Sequence, residues 1–202
     1  MIDRYLIDWQ KRLLTPTATW CHARGWRANQ VTFAALVPAL AAGICIIAHL
    51  PMTGLAFIAL NRVLDGLDGT LARVEGPTDR GAFFDIAFDF FFYALMPLAF
   101  VLNDPARNAV AGALLLASFV VSGTSFLAFA VIAARRGLQS SAFPNKGFYY
   151  LGGLTEGAET ILAFTLMCLF PNAFVGISLV FACLVLLTIL MRWRFAWEIF
   201  AP

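Results

Sequence analysis

Six stretches of this chain are so apolar that water is the wrong solvent for them. They cover roughly residues 31–49, 53–73, 82–102, 108–134, 157–171 and 173–191. A bilayer core is crossed by about 20 apolar residues of helix, with a working range of about 17–25. Composition agrees: 61% of residues are hydrophobic and 13% are charged, half the share of a soluble domain. Mean hydropathy is +0.81. A large extramembrane domain and a disordered chain are excluded, and a soluble globular domain is disfavoured. The fold predicted is an all-α integral membrane protein: six transmembrane helices preceded by an amphipathic interfacial helix.

Turn signals separate the runs: Leu50-Pro51, Gly76-Pro77, Asn103-Asp104-Pro105, the stretch from Gly137 to Asn145, and Pro171-Asn172. The fifth run is short and is read as extendable back through residues 148–157. With no internal repeat, the chain reads as one domain over 1–202. Its parts are an amphipathic segment (1–28), a six-helix bundle (29–191) and a cytoplasmic tail (192–202). Near the start, Ile2, Tyr5, Leu6, Trp9 and Leu13 recur at helical spacing, with Arg4, Asp8, Lys11 and Arg12 between them. Thr15-Pro16 is expected to break that helix, and Asn29 to cap the next one. The interleaved charges are not the uninterrupted core of a signal peptide. Trp193 and Trp197, with Arg192 and Arg194, read as interfacial anchors.

The basic residues set an orientation. Of 14, 12 fall on one side of the predicted spans: Arg4, Lys11, Arg12, Arg24, Arg27, Arg73, Arg80, Arg135, Arg136, Lys146, Arg192 and Arg194. Arg107 stands alone opposite, and Arg62 lies within a span. The positive-inside rule puts both termini in the cytoplasm. Cys21, Cys45, Cys168 and Cys183 form no C-x-x-C pair, and His22 and His49 are isolated, so neither a disulfide framework nor a zinc site is expected.

An apolar span should not carry Asp65, Asp68, Asp85 and Asp89, because an ionised group there costs several kcal/mol unless compensated. Asp65, Asp68, Gly69 and Ala72 sit at i, i+3, i+4 and i+7, on one helical face. Gly81, Asp85 and Asp89 sit at i, i+4 and i+8. The turn after Glu75 reverses the chain, so the two faces meet. At about 1.5 Å per residue, Asp65 and Asp89 each lie about 12 Å in from the cytoplasmic edge. Four converging carboxylates repel one another unless a cation binds. An all-oxygen set suits Mg²⁺, Mn²⁺ or Ca²⁺, and two metals would clamp a phosphoryl group. A salt-bridge network using Arg62, Arg73 and Arg80 is the plain alternative, but three arginines do not cover these four acids together with Glu75 and Asp79.

The pattern D-x-x-D-G-x-x-A-R, then G-x-x-x-D-x-x-x-D, resembles the signature of the CDP-alcohol phosphotransferases. It falls here on Asp65, Asp68, Gly69, Ala72, Arg73, Gly81, Asp85 and Asp89. Seven residues separate Arg73 from Gly81, where common members have eight, and the difference falls in the turn at Gly76-Pro77. The resemblance implies transfer of a substituted phosphate, such as phosphatidyl, from a CDP-alcohol such as CDP-diacylglycerol to a hydroxyl acceptor, releasing CMP in phospholipid biosynthesis. It implies Mg²⁺ or Mn²⁺, two ions, on Asp65, Asp68 and Asp85. Asp89 would be the general base and a further candidate ligand. Asn29, Thr32, Gly69, Ala72, Arg73 and Gly81 would face the nucleotide part. It also implies a homodimer among membrane lipids, with no nucleic-acid partner. The expected location is the bacterial inner membrane, with the site facing the cytoplasm.

The acceptor is less constrained. Members that take phosphorylated acceptors often have a basic residue after the last Asp. Phe90 stands there, which weakens glycerol phosphate and inositol phosphate. Glu156 and Glu159 could meet an amine, as in serine, ethanolamine or choline, or simply complement a helix dipole. Arg135, Arg136 and Lys146 could bind an anionic group or act as membrane anchors. The run Phe88, Phe90, Phe91, Phe92 and Tyr93 reads as lipid contact, with a dimer seam as alternative. Two other classes use intramembrane acids. A prenyltransferase is disfavoured because it has two acidic motifs separated by much of the chain, and more spans, whereas the acids here form one cluster. A divalent-cation transporter leaves Gly69, Ala72 and Arg73 unexplained.

Overall fold

The computed structural model describes the backbone of residues 3–138 and 153–201, with side chains from Leu13 onward. Among the described residues it is all helical. The helices are α1 (Asp3–Ala23), α2 (Ala28–Ile47), α3 (Pro51–Glu75), α4 (Asp79–Asn103), α5 (Pro105–Arg135), α6 (Gly157–Leu169) and α7 (Phe174–Ile199), with a 3₁₀ turn at Pro171–Ala173. Pro51 and Pro105 open α3 and α5, where a missing N–H costs no helical hydrogen bond. Thr78 caps α4 by accepting from the Gly81 N–H, and Asp104 caps α5 by accepting from the Arg107 N–H. Gly76 ends α3 at φ +94°, a conformation that L side chains rarely adopt.

Among the described residues, four segments are long and apolar enough to cross a membrane: α2, α4, α5 and Pro171–Ile199. The prediction of six spans is met in part. Helix α3 has the length, 25 residues, but carries the charges of the motif. Helix α6 is apolar but only 13 residues long, and it begins at Gly157.

Helix α2 packs along both α3 and α4, α5 along α4 and α7, and α6 against α3 and α7. Where helices cross in lipid, small residues let backbones approach. Ala35, Ala39, Ala42 and Gly43 supply that surface on α2. The core joins them to Ile58, Phe92, Met96, Phe100, Leu115, Phe164, Phe181 and Val185. Phe92 is only 1% exposed and meets Phe164 edge-on at 5.9 Å, so it belongs to the core rather than to a lipid-facing surface. Phe91, its neighbour in sequence, is exposed. Val110, Leu114, Val120, Val180, Leu187 and Leu190 are also exposed, as membrane-facing residues should be.

Helix α1 corrects an expectation. It runs through Pro16 to Ala23 instead of breaking there. Proline forfeits one helical hydrogen bond, but the turn beyond it is held by packing. Ala18 and Cys21 are buried against Val31, Leu67 and Leu71, which docks α1 on α3. The predicted apolar face of residues 2–9 lies outside the described side chains. All four cysteines are free.

Candidate active site

The acids converge where α3 ends and α4 begins. One carboxylate oxygen from each of Asp65, Asp68 and Asp85 can be chosen so that all three lie within 4.8 Å of one another. Asp68 is buried, Asp65 half-buried and Asp85 exposed, so the group faces an opening. Asp89, one turn further into α4, is drawn elsewhere: its Oδ1 is 2.9 Å from Arg62 NH1. The four-acid convergence read from spacing is therefore three acids plus one ion pair. Arg62 precedes Asp65 by three residues on the same face, and it also reaches Asp65 Oδ2 at 3.5 Å.

Arg62 itself is tightly braced. Its Nε and NH2 donate to Asn61 Oδ1 at 2.9 and 2.7 Å. Asn61 is buried and donates from Nδ2 to the Ala35 carbonyl on α2 at 2.8 Å. The guanidinium also lies 4.2 Å over the Phe92 ring. The sequence pointed to Arg62 only as one counter-ion among three. Its place one turn before Asp65, inside an apolar run, was the signal for more.

Of the residues expected at the nucleotide, Thr32 and Arg73 lie near Asp68, and Asn29 lies against Gly81. Thr32 of α2 is buried beside Asp68, its hydroxyl donating to the Ala28 carbonyl. A Cβ on Gly81 would sit 3.1 Å from both Asn29 Oδ1 and Thr78 Oγ1, so the glycine lets α4 close on the start of α2. Asn29 is not the cap of α2. The helix starts one residue earlier, with Arg27 at the cap position and the Ala28 N–H donating to Glu75 Oε2 at 3.3 Å. Arg73 donates to Thr70 Oγ1 at 2.9 Å, and its NH1 is the nearest group to a Cβ built on Gly69. Ala72 packs against the α1 cluster.

Next to the triad lies a cavity of about 450 Å³, lined among others by Asp85, Asp89, Phe90, Tyr93, Glu156 and Arg192. Arg192, an interfacial anchor by sequence, is buried. Helix α7 continues beyond the apolar run to Ile199, and Val185, Ile189 and Arg192 share its inward face. Arg192 NH1 donates to the Ser122 carbonyl and to Ser125 Oγ on α5, at 2.8 and 2.9 Å.

A sequence profile of the CDP-alcohol phosphatidyltransferase family matches residues 26–200. The chain belongs to this family. It is an enzyme, a transferase of substituted phosphate groups. It is 51% identical over 141 residues to the inner membrane protein YnjF of Escherichia coli K12, a match covering 70% of this chain and 68% of that protein. It is 31% identical over 84 residues to the phosphatidylcholine synthase of Pseudomonas aeruginosa, covering 39% and 35%. The fold matches that of phosphatidylinositol phosphate synthase (PgsA1) of Mycobacterium tuberculosis. Against its structure with CDP-DAG bound the TM-score is 0.75, at 19% identity over 92% of this chain and 94% of that one. Against its complex with manganese and citrate it is 0.72, at 20% identity over 91% and 88%.

For a phosphatidyltransferase, the donor set fits a divalent cation. It is all oxygen, it is crowded, and its nearest guanidinium is engaged chiefly with Asp89. Asp65, Asp68 and Asp85 are the residues that could hold such an ion. Of the residues considered for the acceptor, Glu156 lines the cavity, and its Oε1 also accepts from the Gly153 N–H at 2.9 Å. Glu159 accepts from the Glu156 N–H at 3.0 Å, completing a capping box at the start of α6. Arg136 is turned to the end of α7, where it donates to the carbonyls of Ile199, Phe200 and Ala201. Arg135 is exposed at the end of α5. Lys146 lies outside the described residues.

Proposed function

We propose that the protein transfers a phosphatidyl group from CDP-diacylglycerol, or a closely similar CDP-linked lipid, to the hydroxyl of a small acceptor alcohol, releasing CMP. The observation that carries this is the placement of Asp89, which lines the cavity one helical turn from Asp85 of the three mutually close carboxylates. A divalent ion, or a pair, on Asp65, Asp68 and Asp85 would stabilise charge on the diphosphate oxygens. Thr32, Gly69, Arg73 and Gly81 border that position and would hold the cytidine and its phosphates. The acceptor oxygen forms a bond to the β-phosphorus, and the bond from that phosphorus to the CMP oxygen breaks. CMP leaves with the electron pair, and Asp89 takes the acceptor's proton.

The acceptor would occupy the cavity beyond Asp89. Phe90 and Glu156, which both line it, favour an alcohol bearing an amine over a sugar or polyol phosphate. A relative named for phosphatidylcholine, a lipid with a quaternary ammonium headgroup, supports the same class. The reading includes six spans, with α3 shielded by its neighbours. It also includes a homodimer, and an inner-membrane location with the site and both termini in the cytoplasm; YnjF is itself named an inner membrane protein.

The direct test incubates the purified protein with CDP-diacylglycerol, Mg²⁺ or Mn²⁺, and a panel of alcohols, and follows CMP release. Dependence on both an alcohol and a divalent ion is expected. Full turnover in excess chelator would sink the metal assignment. No CMP release with any alcohol would sink the donor assignment.

A further inference from the structure

One wall of the cavity beside the triad is explained neither by the signature nor by charge. Among the described residues, the lining includes Asp85, Asp89 and Glu156, and none of Thr32, Gly69, Arg73 or Gly81. The cavity therefore opens on the side of the acids that the nucleotide residues do not border. Phe90, next in sequence to Asp89, lines it, and so does Gly123 of α5. A Cβ built on Gly123 would collide with Phe90 Cε1 and lie 3.0 Å from Cζ, so the ring sits in the notch that the glycine leaves. We propose that Phe90, seated on Gly123, is a specificity-determining wall of the acceptor cavity, which admits small alcohols and refuses bulky ones. This rests on the reading of that cavity as the acceptor's.

The ring is half-buried, Gly123 is buried, and α4 packs along α5. Packed interiors hold few voids, so a ring backed by helix backbone cannot retreat from a larger ligand. An acceptor that reaches past it must displace the ring, and with it the chain that carries Asp89. A glycine at a helix crossing can also serve packing alone. Gly112 shows that case in the same seam: its Cβ would collide with Val101 Cγ2. Neither Gly112 nor Val101 lines the cavity. The two glycines thus separate a wall from a plain helix contact.

The test compares Phe90→Ala, Gly123→Ala, Phe90→Ala/Gly123→Ala and Gly112→Ala in detergent, each first checked for folding by gel filtration. CMP release from CDP-diacylglycerol with Mn²⁺ is followed with two pairs of alcohols: ethanolamine and N-benzylethanolamine, and glycerol and 1-O-benzylglycerol. The second pair lacks the amine, so a wrong amine assignment does not hide a size effect. In whichever pair is turned over, wild type should favour the small member at least about 10-fold in kcat/KM, and Phe90→Ala should lower that preference at least about 10-fold, within the range of about 10–200-fold by which apolar pockets discriminate. Gly123→Ala should raise acceptor KM about fivefold in wild type and less than about twofold in the Phe90→Ala background, where its Cβ meets no ring. Donor KM should stay within about threefold throughout. Gly112→Ala should lower the melting temperature and leave the preference unchanged. An unchanged preference in Phe90→Ala, or an equal change in Gly112→Ala, would overturn the wall. If Gly123→Ala does not fold, Phe90→Ala decides alone. If the wild type releases no CMP with any alcohol, the proposed function fails, and ligand-observed NMR of the same pairs decides the wall. Phe90→Ala must then gain binding of a benzyl alcohol relative to its small partner, and no gain overturns it.

Discussion

Removing one carboxylate from the triad should have opposite effects with and without metal. In Asp85→Asn the side chain keeps its shape and loses its charge. At 4.8 Å and an effective dielectric of about 20, each like-charge pair costs about 3.5 kcal/mol. Asp85 is exposed, and screening by water and salt reduces what is realised to about 1 kcal/mol. In chelator the variant should therefore melt higher than wild type, by about 2–4 °C for a chain of this size. Metal reverses the order. An ion present at about 100 times its Kd stabilises the wild type by about 2.7 kcal/mol, or about 5–11 °C. Asp85→Asn should lose most of that gain. The assay is a melt followed by tryptophan fluorescence in detergent, in chelator and across a Mn²⁺ series. If the variant melts below wild type in chelator, or gains the same metal-dependent shift, the three acids are not a cation site held apart by like charge.

Asp89→Asn should lower turnover by about 10²–10⁴-fold while retaining more affinity for the CDP donor than Asp68→Asn. Donor binding and CMP release measured in one detergent separate the two, and equal loss of binding would assign Asp89 as a ligand. Gly81→Ala forces a Cβ to within 3.1 Å of Asn29 Oδ1 and Thr78 Oγ1, so donor KM should rise several-fold with little change in melting temperature. An unchanged KM would remove the start of α2 from the nucleotide site. A cysteine replacing the exposed Pro77, in the α3–α4 turn, should be labelled by a membrane-impermeant thiol reagent only after the cytoplasmic face is opened. Labelling in intact cells would contradict the orientation read from the arginines and lysines.

Much of the protein was legible in one dimension. Apolar runs separated by Pro, Gly and Asn marked the helices, because lipid forces the backbone to satisfy its own hydrogen bonds within a segment. The motif was legible because i, i+3 and i+4 spacing fixes which side chains share a helical face, and the short Gly76–Thr78 connection sets two such faces together. What spacing cannot supply is the rotation and depth of one helix against another. It could not show that Asp89 answers to Arg62 rather than to the other three acids, since that depends on how α3 and α4 are turned against α2. Nor could it show that Arg192 points inward, because the end of an apolar run is not the end of a helix.

The same distinction explains Pro16 and Phe92. Local rules give proline as a break and a run of phenylalanines as lipid contact. Packing overrode both: Ala18 and Cys21 dock beneath α3, and Phe92 fills the space between α4 and α6 under the Arg62 guanidinium. The sequence by itself determined a helical membrane protein with an acid-rich face and the residues of that face. The tertiary structure alone decided which acids stand together, which one is paired, and which charged residues border the cavity. Those are properties of contacts between helices, and a single helix period does not encode them.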